Sequence, residues 1–272
     1  VFYALFSWKF LFFIIATIFT IWGSARLIDF YSEKCKQTLA ENKGISLDEK
    51  IKIKNKFKKK KKALLVCTII FNIGILFFLK YANFCISNFT SLLEVCGVSV
   101  SHITLNLILP LGISFYTFQS VGYLVDVYWG KEKADKNIFK VALFVSFFPQ
   151  IIQGPISRHS ELAKQFDEPH KFNYEQILSG FLLILWGLFK KLLIADVFAT
   201  MVNIGFDKVS GLNGLQSVIV VLAYLIQDYA DFSGCIDIAM GTAECFGIKL
   251  PQNFNRPYFS FTIPEYWRRW HM

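Results

Sequence analysis

The densest cluster of polar and aromatic residues in the chain is Trp267-Arg268-Arg269-Trp270-His271. Histidine titrates near neutral pH, and a desolvated imidazole stays neutral and can take a proton from an attacking hydroxyl. The same five residues also read as an interfacial anchor, because Trp and Arg belong at the headgroup boundary. A second set of candidates is acidic: Asp228, Asp231 and Asp237 fall within ten residues of one another in the apolar run DYADFSGCIDIAMG. Acids inside a membrane segment mark a pathway, a pair or a site. Asp228 and Asp231 share a helix face, and Ser233-Gly234 offers a bend. Their plainer role is to pair with Lys or Arg of neighbouring helices, since structural pairs outnumber catalytic acids. Lys190 and Lys191 break another apolar run, where long stems snorkel to the interface or meet an anionic substrate. Gln150 and Gln153 stand beside Pro149, Gly154 and Pro155, at a break that can line a wet cavity.

Other residue types carry less. The six cysteines, at 35, 67, 85, 96, 235 and 245, contain no Cys-x-x-Cys pair and no nearby His at metal spacing, so no metal site and no disulfide scaffold is expected. Cys85 and Cys96 alone could share an outside loop and pair. His102, His159 and His170 stand apart from any such cluster and read as surface or interfacial residues. No bound cofactor is expected.

The elements that position these candidates are membrane helices. The chain is 54% hydrophobic and only 18% charged, where soluble domains carry about 25% charge, and its apolar blocks reach the roughly 20 residues that cross a bilayer. Residues 2–25 form a first span and 63–80 return across. The net charge of +9 gathers in nine lysines between Lys50 and Lys62, which reads as a basic cytoplasmic loop over 26–62, with 81–102 outside. That concentration leaves no basic groove for nucleic acid. Residues 103–129 form a tilted or broken helix around Pro110 and Gly112, and 138–154 a re-entrant or kinked element. The stretch 156–176 is polar and interfacial, and 177–206 and 211–250 are further spans. The expected fold is all-α: one polytopic membrane domain over 1–272, a multi-helix bundle with re-entrant or broken helices. Val1 follows no signal-peptide pattern, and both ends read as cut.

From Asp231 to Met272 the stretch DFSGCIDIAMGTAECFGIKLPQNFNRPYFSFTIPEYWRRWHM resembles the signature of bacterial membrane-bound O-acyltransferases, in particular the branch of alginate O-acetylase and the peptidoglycan O-acetyltransferases. LPLGISFYTFQSVGYLVDVY from Leu109, FFPQIIQGPISR from Phe147 and WGLFKKLLIAD from Trp186 agree in the family's order. The first hundred residues match only in hydropathy. The resemblance implies an enzyme that moves an acyl group, usually acetyl, from a cytoplasmic thioester donor such as acetyl-CoA to a hydroxyl of a cell-surface polysaccharide or peptidoglycan. A separate extracytoplasmic acyltransferase or esterase-like partner and a place in the bacterial cytoplasmic membrane go with it. By position His271 corresponds to the motif's catalytic histidine, with Trp267, Arg268, Arg269, Trp270, Asp231, Gln150 and Gln153 as candidates for holding substrate or donor. The family's second histidine belongs to a later apolar stretch, so these 272 residues alone are expected to be inactive. D-alanyl transfer towards teichoic acid from a carrier protein, and transport through the intramembrane acids without covalent chemistry, stay open as alternatives.

Overall fold

Ser46 and Glu49 decide the conformation of the Lys-rich stretch. In the computed structural model, which describes residues 8–42, 44, 46–97, 104–107, 109–270 and 272, the Ser46 hydroxyl accepts from the Glu49 amide at 3.3 Å, and the Glu49 carboxylate accepts from the Ser46 amide at 3.1 Å. This reciprocal cap opens a helix that runs unbroken over Leu47–Val95, named α2 and preceded by α1 (Trp8–Glu41). The basic loop expected over 26–62 is therefore corrected: most of it is helix. Lysine is a good helix former, and no Gly or Pro stands between Ser46 and Gly74. Charge density marks an aqueous environment, and it says nothing against helix. At 1.5 Å per residue α2 is about 73 Å long, more than twice the roughly 30 Å hydrocarbon layer. Residues 81–95, expected as an outside loop, are helical as well.

Helix α1 turns Ile14, Ile18, Ile21, Ala25 and Ile28 inward, all buried. Their steps of four and three residues make one continuous stripe. Against it α2 sets polar groups that bond across the helix pair: the Ser24 and Thr68 hydroxyls lie 2.7 Å apart, and Asn72 donates to Thr20 at 3.2 Å. Apolar attraction between helices is weak in lipid, so such bonds and close packing hold the pair. Helix α3 (Ile113–Trp129) starts at Gly112 and stops at Gly130, both in the left-handed region at φ 69° and 74°, which glycine adopts without steric cost. The break expected at Pro110 and Gly112 is present. Helix α4 (Ile138–Val145) is capped by Asn137 and ends before Ser146. Residues 147–157 carry no helix, as the two prolines and glycine require.

His159 opens α5 (His159–Asp167) and corrects a second expectation. It is buried, with Nδ1 3.1 Å from the Glu132 carboxylate and its ring 4.3 Å from Tyr123 and 5.0 Å from Phe144. A polar ring is buried when carboxylates and aromatic faces satisfy it, and those partners come from distant segments that local sequence does not reveal. His170 is exposed as expected, and His102 lies outside the described residues.

Helix α6 (Tyr174–Leu188), a π-helical stretch (Phe189–Ala195) and α7 (Asp196–Asp207) follow one another without interruption. Helix α8 (Gly214–Cys245) carries a second reciprocal cap, between Asn213 and Gln216, and α9 (Ile263–Arg269) closes the series. Among the described residues four helical stretches, Phe10–Glu41, Leu47–Val95, Tyr174–Asp207 and Gly214–Cys245, are long and apolar enough to cross a membrane. Large side chains such as Phe12, Ile70, Leu193 and Leu222 are exposed, which suits lipid as the solvent. Among the described residues there is no β-strand: this is an all-α, polytopic membrane protein. All six cysteines are free, Cys85 and Cys96 included. Where one continuous domain is expected, the chain divides into two compact units, Val1–Ser146 with Arg158–Ser160 and Phe147–Ser157 with Glu161–Met272. The second holds most of the candidate residues.

Candidate functional site

Helices α6 and α8 approach at two glycine pairs. A Cβ added at Gly187 would lie 2.6 Å from the Gly234 carbonyl oxygen, and one at Gly180 would lie 2.7 Å from that of Gly241. The pairs are two helical turns apart on both helices, so backbone meets backbone along an antiparallel seam. This closeness brings the lysines to the acids. Lys190 Nζ sits 2.5 Å from Asp237 and donates to the Ser233 hydroxyl at 3.0 Å. Lys191 Nζ lies 2.7 Å from Asp231 and 2.9 Å from Asp196. The two lysines are adjacent in sequence, yet they reach acids six residues, about 9 Å, apart on α8. The widened π-helical turn that carries both is a form found often at functional sites. Pairing, the plainer role for the acids, is what these contacts show, and it replaces the snorkelling expected of the lysines. Asp228 makes no ion pair among the described residues.

Beside Lys190 opens a cleft of about 250 Å³. Lys190, Ser233 and Asp237 give it a polar floor, Tyr229, Gln252, Asn253 and Phe254 its wall, and Leu183, Ile236 and Met240 an apolar side. The wall is tied to the end of the chain. Asn255 donates its amide to the Arg269 carbonyl and Met272 donates to the Asn253 carbonyl, both at 2.9 Å, while Phe254 and Trp270 form an antiparallel bridge. The Trp270 ring stacks on Tyr266 at 5.6 Å and meets Phe254 at 5.1 Å and Tyr229 at 6.0 Å. Tyr258 completes this cluster and donates to the Leu225 carbonyl at 2.8 Å. Burial pushes its phenol up to about 12.

Helix α9 is fixed from its start. Thr262 caps it by accepting from the Glu265 amide, and Glu265 pairs with Arg269 one turn later at 2.5 Å. The Phe261 amide, and after it Arg269, hold the Glu265 carboxyl below the usual range. Arg269 is thus committed to Glu265, Arg268 donates to the Pro264 carbonyl at 3.3 Å, and Trp267 is exposed. His271 lies outside the described residues, and its neighbours Trp270 and Met272 are the two held against 253–254.

The sequence candidates therefore separate. Trp270 packs on the cleft wall through Tyr229 and Phe254, whereas Trp267, Arg268, Arg269 and Asp231 do not line the cleft. Gln150 is fully buried and accepts from the Ser157 hydroxyl at 3.1 Å, and its Nε2 has no partner among the described residues. Gln153 is exposed. Lys190, Ser233 and Asp237 line the cleft together, although the sequence read Lys190 as a snorkel or a substrate contact, Ser233 as a bend and Asp237 as a pair or a site without joining them. The usable signal was mutual need, since a buried lysine and a buried acid in separate apolar runs must find partners. Asn253 and Gln252 carried no signal.

Known proteins match in agreement with the motifs. Residues 132–272 match the model of MBOAT, the membrane-bound O-acyltransferase family. The chain is 40% identical over 239 residues to a peptidoglycan O-acetyltransferase of Helicobacter pylori, covering 78% of this chain and 44% of that one. It is 36% identical over 208 residues to a protein of Pseudomonas aeruginosa named as a probable alginate O-acetylase, covering 76% of this chain and 39% of that one. A teichoic acid D-alanyltransferase of Bacillus subtilis is 31% identical over 171 residues, covering 61% and 43%. The chain thus spans less than half the length of each of these relatives. The matched region holds more than half of the chain and takes in α6, α8 and the Trp-Arg-Arg-Trp stretch, and on that ground the chain belongs to the membrane-bound O-acyltransferase family.

Proposed function

We propose that the full-length protein is an O-acyltransferase of the bacterial cytoplasmic membrane. It moves an acyl group, acetyl in the first instance, from a cytoplasmic thioester such as acetyl-CoA to a hydroxyl of an extracytoplasmic polysaccharide or peptidoglycan, with a separate extracytoplasmic partner. The observation that carries this reading is the 40% identity to a peptidoglycan O-acetyltransferase across 78% of the chain. A zwitterionic, hydrogen-bonded floor inside apolar helices, beside the backbone that flanks His271, supports it. In this reading His271 removes the proton from the acceptor hydroxyl while its oxygen attacks the thioester carbonyl, and the thiol leaves with a proton. In full-length protein, acceptor-dependent release of free thiol from acetyl-CoA is the expected result. No release with any envelope glycan, in protein shown to be folded, would discard the reading.

A second reading has its own support, the 31% identity to a teichoic acid D-alanyltransferase. There the donor is a charged carrier protein, and turnover that needs such a carrier while ignoring acetyl-CoA would favour it.

Orientation follows from the lysines. Nine of them over 50–62 place that end of α2 in the cytoplasm by the positive-inside bias, and the far end, towards Val95, outside. An impermeant thiol reagent applied to intact cells, with single cysteines in a Cys-free background, should label position 85 and spare position 35. The opposite pattern would reverse the topology.

A further inference from the structure

The cleft beside Lys190 has a chemical character of its own. Lysine has three N–H donors. Asp237 and Ser233 take two of those of Lys190, which leaves one for an occupant. Asp237 keeps a second carboxylate oxygen, Ser233 can donate or accept, and Gln252 adds an amide. Because Asp237 already neutralises Lys190, the floor has no net charge. A charged occupant would find no unpaired counter-charge among the residues that line the cleft, and would lose part of its hydration without one. The donor's phosphates therefore do not belong here. What these groups match is several neutral hydroxyls close together. The same cleft is lined by Tyr229 and Phe254, whose rings meet edge to face at 5.6 Å and 84° and add apolar surface for C–H groups. At about 250 Å³ the cleft falls below the range of about 300–1,000 Å³ typical of drug-sized ligands, so it admits one small ring and not a run of several.

We infer that this cleft binds one neutral sugar ring, with Lys190, Asp237 and Ser233 holding its hydroxyls and Tyr229 and Phe254 covering its apolar face. The inference deepens the transferase reading and rests on it for the sugar's role as the acceptor. The tie between 253–254 and both neighbours of His271 brings the cleft wall to the stretch that carries the proposed base.

Binding can be read without turnover. Full-length protein in lipid nanodiscs free of glycoside detergent is mixed with methyl β-D-glucopyranoside, and saturation-transfer NMR reads contact with the ring protons. Wild type should transfer saturation to the ring. Phe254→Leu and Asp237→Asn should each weaken binding about fivefold or more, while Lys171→Ala, which does not line the cleft, changes nothing. D-glucuronate should give a several-fold weaker signal. If Asp237→Asn fails to fold, Phe254→Leu decides, since it keeps an apolar side chain of similar bulk. Absence of transfer from folded wild type, equal signals in wild type and Phe254→Leu, or glucuronate bound as well as the neutral sugar would each overturn the inference. No acyl donor is present, so the outcomes separate: thiol release without sugar binding would sink this inference alone, and sugar binding without thiol release would sink the transferase reading alone.

Discussion

His271→Ala in the full-length protein should lower acyl transfer per folded molecule by at least about a hundredfold while leaving insertion and expression nearly intact. General-base assistance is worth about 10² to 10⁴ in rate, and alanine removes the base while keeping the backbone whose neighbours pair with 253–254. The competing role, an interfacial anchor, makes a different prediction. Losing an anchor lowers the amount of protein and leaves each folded molecule as active as before, so turnover has to be normalised to folded protein. Ile263→Ala supplies the comparison, because Ile263 is an exposed apolar residue on the same helix α9; it should reduce yield at most. Near-normal normalised turnover for His271→Ala would make the histidine an anchor and remove it from the site.

How much of this was legible depends on how local each cause is. The inward stripe of α1 could be read because Ile14, Ile18, Ile21, Ala25 and Ile28 are spaced by the helix itself. The irregular stretch after α4 could be read from Pro149, Gly154 and Pro155, because proline acts on its own neighbours. Lys50 to Lys62 misled because charge reports solvent and not backbone conformation, and the deciding signal was the small pair Ser46 and Glu49. His159 could not be placed from sequence: Glu132, Tyr123 and Phe144, which make its burial tolerable, are distant along the chain and meet it only through folding. The same holds for the site. The Trp-Arg-Arg-Trp-His stretch stood out by composition, and the resemblance gave it a role, whereas the partnership of Lys190 with Asp237 exists only where the π-helical stretch after α6 meets α8. Gly180, Gly187 and Gly241 drew no attention in sequence and Gly234 only as a bend, since a glycine in an apolar helix announces neither a contact nor a site.

Those glycines carry the other large expectation. Gly187→Ala should destabilise the protein and Gly187→Leu should abolish recovery of folded material, while Gly74→Ala should be neutral or stabilising. In an ordinary helix alanine gains about 1 kcal/mol over glycine. At Gly74 nothing lies within 4 Å of the new methyl, so that gain has no opponent. At Gly187 the methyl would stand 2.6 Å from the Gly234 carbonyl oxygen and 2.9 Å from the Ile238 amide nitrogen. Both are backbone atoms, which cannot rotate away, so the helices must part. Overpacking of this kind costs about 1–3 kcal/mol, enough to cancel or exceed the propensity gain, and close approach at small residues is itself a main source of attraction between membrane helices. Leucine at the same place has no space to enter. Parting the helices also pulls Lys190 from Asp237, now 2.5 Å apart, and leaves two charges in apolar surroundings without partners, which is costlier than losing the packing alone. Thermal unfolding of the detergent-solubilised variants, followed by retention of the monodisperse peak, measures the order. A Gly187→Ala protein as stable as wild type would show that the seam yields easily and that Lys190 and Asp237 meet for some other reason.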